Sequence, residues 1–260
     1  MASGIVLCVG GHTGLAMIHA AVAAVTGAVW RRRGPVATPI GDLLPLVAFP
    51  LLYSEIPQLI RALGTTYHDA LVQRWELAVF GTQVSTSLAA ALPSLPLSEL
   101  LHAGYLSYYL VIFVPPLLLY AKGERRGFEQ TVAAVAIAYT LCWTIFIVFP
   151  VQGPRYLFAA PPGIPNGPVR RVALWLLAYG SSRGAAFPSS HMAVSVVQTL
   201  MAWRWQRRVA WVLALVAALI GVGAVYGGFH YGVDMLAGTG LAVVVAVSVL
   251  RGFPASAAGR

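Results

Sequence analysis

The chain has 260 residues, of which 58% are hydrophobic and only 10% are charged, and its formal net charge is +9. A soluble domain carries roughly a quarter charged residues, so this composition excludes an ordinary soluble protein and predicts that lipid covers much of the surface. The positive charge does not indicate a nucleic-acid partner, because the basic residues stand in short clusters between apolar runs and no nucleic-acid motif accompanies them.

Seven apolar runs approach or exceed the length of about 20 residues that a helix needs to cross a bilayer. In chain order they cover, roughly, residues 4–30, 40–62, 98–121, 128–150, 189–204, 208–227 and 231–250. The first run lacks the basic start of a signal peptide, and a triple arginine follows it, so we expect a retained span. The predicted fold class is all-α, a polytopic membrane helix bundle of about seven spans. We expect one domain over 1–260, with N-terminal spans and an interfacial segment in 1–97 and a catalytic helix core in 98–251.

Basic residues cluster on one predicted side of the membrane. The segments after the first, third, fifth and seventh runs hold 11 of the 17 basic residues: Arg31, Arg32, Arg33, Lys122, Arg125, Arg126, Arg204, Arg207, Arg208, Arg251 and Arg260. The positive-inside rule makes these segments cytoplasmic. We therefore expect an integral protein of a bacterial plasma membrane, with its N-terminus outside, its C-terminus cytoplasmic, and segments 61–97, 151–188 and 228–230 extracytoplasmic.

Segment 61–97 is too polar to span the membrane. Residues 66–80 place apolar and polar side chains on different faces at helical spacing, which predicts an interfacial helix with Tyr67 and Trp75 at the headgroup level. Segment 151–188 is rich in proline and glycine, which is typical of a loop, and one short helix is predicted at 167–179. We expect this loop to contribute to an extracytoplasmic active site, because charged residues near a membrane tend to be functional.

The first polar cluster, residues 149–156, follows the fourth run and ends in Arg155 and Tyr156. The planar fork of an arginine suits bidentate binding of a phosphate. The alternative is a loop arginine that reaches to lipid headgroups.

The second cluster, residues 183–191, precedes the fifth run. Pro188 and Ser189 are typical of a helix start, where free N–H groups and the positive end of the helix dipole attract an anion. His191 falls in the first turn, and Arg183 lies shortly upstream, so both are candidates for a phosphate site. A structural histidine at the mouth of a span is an equally favoured alternative for this cluster alone.

The third cluster contains His230 and Asp234, which are four residues apart and are expected to share one face of the seventh helix. A carboxylate bonded to one imidazole nitrogen fixes the tautomer and leaves the other nitrogen free to attack. The alternative is a buried bond that only joins two helices. Because the predicted topology places all three clusters on one side of the membrane, we favour a shared phosphoryl-transfer site.

Two of these clusters carry motifs of a known family. The sequences FPSSH at 187–191 and HYGVD at 230–234 resemble the second and third signature motifs of the type 2 phosphatidic acid phosphatase superfamily of membrane lipid phosphatases and phosphotransferases. The order of the motifs and their positions relative to the last three runs also agree. The resemblance covers roughly residues 100–250.

The resemblance implies a role for each matching residue. His230 is implied as the nucleophile that takes the phosphoryl group, with Asp234 orienting it. His191 is implied as the acid that protonates the leaving oxygen and then as the base that activates the acceptor. Ser189 and the backbone amide of Ser190 are implied to bind phosphate oxygens. The family works without a metal, so neither a metal nor another cofactor is expected.

The chain departs from the family pattern at two motifs. Val148 stands where the first motif has a lysine, and Gly223 and Ala224 stand where the third motif has Ser-Arg. The phosphate clamp must therefore be rebuilt, and we assign it to Arg155 and Arg183.

A third motif without its arginine resembles the inositol phosphorylceramide synthase and sphingomyelin synthase branches. Asp69 and Glu76, ahead of Phe80 and Gly81, also resemble an acidic segment of the inositol phosphorylceramide synthase branch. We treat Asp69, Glu76 and Tyr156 as candidate accessory residues. The alternative for the two carboxylates is solvated charge on an interfacial helix.

The leading hypothesis is hydrolysis of a lipid phosphate or lipid diphosphate through a phosphohistidine. The second is transfer of the phosphoryl headgroup to an alcohol acceptor, for which the same histidines would serve. A transporter or proton relay built on the His–Asp pair is disfavoured, because a proton relay needs no anion site. A Ser-His-Asp hydrolase is disfavoured because no nucleophile-elbow pattern surrounds the serines. The expected partners are a lipid phosphate and the bilayer, and the oligomeric state stays open.

Overall fold

The computed structural model describes residues 38–158 and 164–252. Within these ranges the chain forms twelve helices and no β-strand, and one β-bridge joins Val151 to Ala185. The predicted all-α class is confirmed. The helices are α1 Thr38–Tyr53, α2 Ile56–Leu63, α3 Asp69–Phe80, α4 Val84–Ala91, α5 Leu95–Leu106, α6 Tyr108–Ala121, α7 Arg125–Val148, α8 Pro154–Leu157, α9 Pro168–Gly180, α10 Ser190–Trp205, α11 Arg207–Tyr226 and α12 Gly232–Gly252.

Three helices of the described ranges, α7, α11 and α12, are long and apolar enough to cross a bilayer. The pair α5 and α6 qualifies jointly, although it is bent by 45° at its break, where Ser107 stands between the two helices. The described residues therefore contain three candidate spans, or four if the bent pair counts as one. These apolar helices agree with integration into a membrane.

The other predicted spans are interrupted, short or outside the described residues. Run 40–62 is divided between α1 and α2, with a break at Ser54 and Glu55 and with Pro57 in the first turn of α2. Helix α10 has 16 residues and is about 24 Å long, which is less than the hydrocarbon core of about 30 Å. Run 4–30 and both chain ends lie outside the described residues. The count of seven spans and the orientation stay predictions.

Helix α10 is the central element of the bundle and packs against α6, α7, α11 and α12. Its approach to α12 is close, because a Cβ added at Gly238 would lie 2.4 Å from the backbone oxygen of Ser189. Only glycine allows this distance. The Ser189 N–H also donates to the backbone oxygen of Asp234 at 3.0 Å. The starts of α10 and α12 are thereby held together, and these starts carry the candidate catalytic residues.

The packing of α5 against α11 explains one departure from the family motif. A Cβ added at Gly223 would lie 2.2 Å from the backbone oxygen of Leu101, so no larger residue fits there without a shift of the helices. Ala224 is fully buried, and its backbone oxygen accepts hydrogen bonds from the N–H groups of Phe229 and His230. Close packing of the two helices therefore requires small residues at the two positions where the family has Ser-Arg.

Both short helices predicted outside the spans are present. The segment predicted at 66–80 forms α3, which exposes Leu77 and Val79 and buries Val72. The same helix also buries two carboxylates, which the alternative of solvated charges did not anticipate. The helix predicted at 167–179 forms α9.

The start of α9 is held by a carboxylate of α5. Glu99 accepts hydrogen bonds from the N–H groups of Val169 at 2.8 Å and Arg170 at 3.2 Å. These N–H groups have no acceptor inside their own helix, so an acidic side chain at this end is favourable. Glu99 thereby fixes α9 across the bundle.

Candidate active site

The second cluster forms the start of α10, as predicted. Ser189 is the N-cap residue, and its hydroxyl oxygen accepts a hydrogen bond from the N–H of Met192 at 3.3 Å. The helix begins at Ser190, so the first N–H groups have no intrahelical acceptor and the dipole is positive there. His191 follows in the first turn.

His230 lies in the turn between α11 and α12. A reversal at Gly227 and Gly228 precedes it, and Gly228 takes a left-handed φ of 69° that favours glycine. The prediction that His230 shares a helix face with Asp234 was wrong, because α12 begins only at Gly232. The two side chains meet nevertheless, since Asp234 reaches back from the first turn of α12.

The contacts of His230 define its tautomer. Its buried Nδ1 atom lies 3.1 Å from the backbone oxygen of Ala186 and 3.2 Å from Oδ2 of Asp234. Both neighbours are acceptors, so Nδ1 carries the proton and Nε2 keeps a free lone pair. The same Oδ2 atom accepts a hydrogen bond from the N–H of Tyr231 at 2.8 Å. The arrangement can support a nucleophilic imidazole.

His191 faces the same site from α10. Its ring centroid lies 5.4 Å from that of His230, at an interplanar angle of 70°. Tyr105 and Tyr108 flank the His191 ring at centroid distances of 5.0 and 4.2 Å. The buried Nδ1 atom of His191 has no hydrogen-bond partner among the described residues. The two histidines are therefore close enough to act on one substrate group between them.

A cavity of about 590 Å³ joins the two histidines to the phosphate-clamp candidates. Its polar part is lined by His191, His230, Ser190, Arg155, Tyr156 and Gln152. Its apolar part lies between α1, α6 and α7 and is lined by Phe49, Ile112, Phe113 and Tyr139. Tyr139 stands nine residues before the end of α7 at Val148, which corresponds to about 14 Å along the helix. The cavity thus combines a polar end at the histidines with an apolar extension into the bundle.

The two arginines assigned to the clamp are placed differently. Arg155 lines the cavity, and its Nη1 atom donates to the hydroxyl of Ser181 at 3.1 Å and to the backbone oxygen of Leu177 at 3.3 Å. Arg183 is exposed and lies outside the cavity lining, where its Nε atom donates to the side-chain oxygen of Gln152. Arg155 is therefore the arginine that this conformation brings to the site.

Of the remaining predicted site residues, Tyr156 lines the cavity, whereas Ser189, Asp234, Asp69 and Glu76 do not. The Ser189 hydroxyl caps α10, and Asp234 lies behind His230. Asp69 and Glu76 of α3 are buried and accept hydrogen bonds from backbone N–H groups of the loops around the site. Tyr156 lines the cavity, and its hydroxyl is 2.8 Å from that of Ser181.

Several residues that line the cavity belong to no sequence motif. Gln152 stands in the first cluster, but only its place in the cavity lining and its hydrogen bond from Arg183 mark it. Tyr105 and Tyr108 lie inside an apolar run, where no motif marks them. They stand on either side of the break between α5 and α6, so their approach to His191 depends on the tertiary fold.

The helices bring two histidines and an arginine to the polar end of one cavity, with a buried carboxylate against His230. This arrangement is suited to binding an anionic group and attacking it. Residues 71–248 match the family model of the PAP2 superfamily, so the chain belongs to that superfamily. No curated protein and no solved structure matches the chain. Membership confirms the resemblance seen in the motifs and indicates phosphatase-type or phosphotransferase-type activity on phosphate esters. The resemblance to the inositol phosphorylceramide synthase branch stays a prediction.

Proposed function

We propose that this protein removes phosphate from a lipid phosphate or lipid diphosphate through a phosphohistidine at His230. The observation that carries the proposal is the environment of the buried Nδ1 atom, which has two acceptors and therefore leaves Nε2 as the free nitrogen. His230 lines the cavity together with His191. A histidine held in this tautomer is suited to nucleophilic attack.

The reaction proceeds in two displacements. The Nε2 lone pair of His230 forms a bond to the terminal phosphorus. The bond from this phosphorus to its leaving oxygen breaks, and protonated His191 gives that oxygen a proton. The leaving oxygen is the ester oxygen of a lipid phosphate or the bridging oxygen of a lipid diphosphate. Asp234 stabilises the positive charge that His230 acquires. Neutral His191 then takes a proton from water as the water oxygen bonds to phosphorus, and the N–P bond breaks to restore His230.

Charge on the phosphate oxygens is stabilised at the polar end of the cavity. The guanidinium of Arg155 supplies positive charge, and the first N–H groups of α10 at Ser190 and His191 supply free donors. Fixed donors of this kind stabilise the charge that spreads over the oxygens in the transition state.

The shape of the cavity favours a lipid ester over a soluble one. Its apolar extension matches a hydrocarbon chain in chemistry, and three of its lining residues are strongly exposed: Tyr109 at 42%, Trp175 at 61% and Tyr179 at 82%. They stand on α6 and α9, so the cavity reaches the protein surface at these two helices. A lipid can reach the histidines through this opening while its chain stays in apolar surroundings.

Transfer to an alcohol is the second candidate, favoured by hydroxyl groups in the cavity wall. Tyr53, Ser181 and Ser182 line the same cavity and could bind a polyol acceptor. The chemistry at His230 is unchanged, and only the group that attacks the phosphoenzyme differs.

Purified protein in lipid nanodiscs, given a panel of lipid phosphates and diphosphates with and without alcohol acceptors, tests the proposal. Free phosphate and lipid products are measured together. We expect phosphate release that the His230→Ala variant lacks, and a transferred headgroup in the product would favour the second candidate. Full turnover by folded His230→Ala protein would refute the mechanism.

A further inference from the structure

We propose that α3 positions the active site, with Asp69 and Glu76 as positioning residues that hold the loop bearing Arg155 and the segment bearing His230 and Asp234. This inference rests on the proposed phosphoryl transfer at His230. Neither carboxylate lines the cavity, so each acts through the residues that it holds.

Glu76 caps α12, the helix that carries Asp234. Its side chain is fully buried, Oε1 accepts a hydrogen bond from the N–H of Gly232 and Oε2 accepts one from the N–H of Val233, each at 3.0 Å. These N–H groups belong to the first turn and have no intrahelical acceptor, and the helix dipole favours a negative charge there. Two bonds from one planar carboxylate fix the rotation of this turn. Asp234 is the next residue, so its reach to His230 depends on that rotation.

Tyr231, between the nucleophile and the cap, is held at both ends. Its N–H donates to Asp234, and its hydroxyl lies 3.3 Å from Oδ1 of Asp69 and accepts a hydrogen bond from Nε2 of Gln73 at 3.1 Å. The ring is fully buried, and burial raises the pKa of the phenol, so the hydroxyl keeps its proton for Asp69. The residue adjacent to His230 therefore cannot rotate without breaking contacts to α3.

Asp69 links this segment to the loop that carries the phosphate-binding arginine. Its carboxylate accepts hydrogen bonds from the N–H groups of Gln152 and Gly153, both at 3.0 Å, just before α8 and Arg155. One buried side chain thus contacts both the arginine loop and Tyr231. Helix α3 therefore fixes the distance between Arg155 and His230.

The residues of α3 that make these hydrogen bonds share one face of the helix. Positions 69, 73 and 76 follow the i, i+4, i+7 spacing of a helix, so a single rigid element holds both segments. A purely structural carboxylate would affect stability alone. A positioning carboxylate would also lower kcat in protein that stays folded, since an error of about 1 Å in the site can cost roughly a hundredfold in rate.

Glu76→Gln is the informative change, because it keeps the size of the side chain but replaces one acceptor oxygen by an −NH₂ donor. The −NH₂ group would face a backbone N–H, so one cap bond is lost. We expect kcat to fall by about ten- to a hundredfold while KM changes by less than about threefold. Glu76→Asp keeps both acceptors and should recover part of the rate, and Asp69→Asn should lower kcat in the same way.

The matched control is Glu129→Gln, which removes an exposed carboxylate that pairs with Arg125 at the start of α7. The experiment measures kcat, KM and Tm of the nanodisc protein, together with amide hydrogen exchange of residues 231–234. Reduced kcat at unchanged KM, with faster exchange in this segment, supports the inference. Unchanged kcat per folded molecule in both Glu76→Gln and Asp69→Asn overturns it, even if Tm falls.

The experiment separates this inference from the proposed function. Inactivity of the wild-type protein on every phosphate ester would refute the proposed function. Amide exchange then decides the positioning inference, which is supported by faster exchange at residues 232 and 233 in Glu76→Gln and refuted by exchange equal to that of the control.

Discussion

Replacing Asp234 by Asn tests how the nucleophile is held. The Asn side-chain oxygen can still accept the hydrogen bonds from Tyr231 and from Nδ1 of His230, but the negative charge is lost. The tautomer survives, because the backbone oxygen of Ala186 contacts the same Nδ1 atom at 3.1 Å. The expected effect is therefore a partial loss of activity, in contrast to the complete loss expected for His230→Ala.

The size of this loss follows from the change of a charged to a neutral hydrogen bond. A bond to a charged group contributes about 1.5–3 kcal/mol and a neutral one about 0.5–1.5 kcal/mol. The difference of about 1–2 kcal/mol corresponds to a fall in kcat of roughly 5- to 30-fold, with little change in KM.

Steady-state phosphate release from a lipid phosphate in nanodiscs provides the assay. Asp42→Asn is the control, since Asp42 pairs with Arg125 away from the histidines. A wild-type rate in Asp234→Asn would show that the carboxylate does not assist His230. A loss as complete as that of His230→Ala, in folded protein, would show that Ala186 does not hold the tautomer.

Three further predictions concern the phosphate, the packing and the lipid chain. Arg155→Ala should raise KM or lower kcat by at least about tenfold, and Arg183→Ala by much less, because only Arg155 lines the cavity; equal effects in the kinetic assay would contradict this difference. Gly223→Ser should lower stability by about 1–3 kcal/mol, seen as a fall in Tm of several degrees, because its Cβ meets a backbone oxygen; an unchanged Tm would show that the helices adjust freely. Ile112→Trp should fill the apolar part of the cavity and slow long-chain lipid phosphates more than short-chain ones, and an equal effect on both would place the lipid chain elsewhere.

The sequence predicted the features that depend on local chemistry. The helix start at Ser189 follows from a proline and an N-cap serine, and α3 follows from its helical spacing. The pairing of His230 with Asp234 follows from their motif, although the helical geometry assigned to it was wrong. The start of α12 could not be read locally, because Glu76, whose carboxylate accepts hydrogen bonds from its first N–H groups, lies 156 residues earlier in the chain.

Tertiary contacts account for the other differences. One alternative placed Asp69 and Glu76 at the surface, since charged residues are rarely buried. Both carboxylates are buried because they accept hydrogen bonds from backbone N–H groups, and no sequence pattern marks these partners. Arg155 and Arg183 are equivalent by residue type, and only their positions relative to the cavity distinguish them, because Arg155 lines it and Arg183 does not. Gly223 and Ala224 were seen as departures from a motif, and the reason for them is the close contact with α5.

Trapping of the phosphoenzyme tests the central claim most directly. Protein mixed with a lipid phosphate carrying radiolabelled phosphorus is quenched in alkali within milliseconds, and the labelled peptide is identified. We predict label on the peptide that contains His230 in the wild-type protein and no label in His230→Ala. Label on the Ser190 or His191 peptide in the wild-type protein, or turnover without any labelled intermediate, would contradict the account.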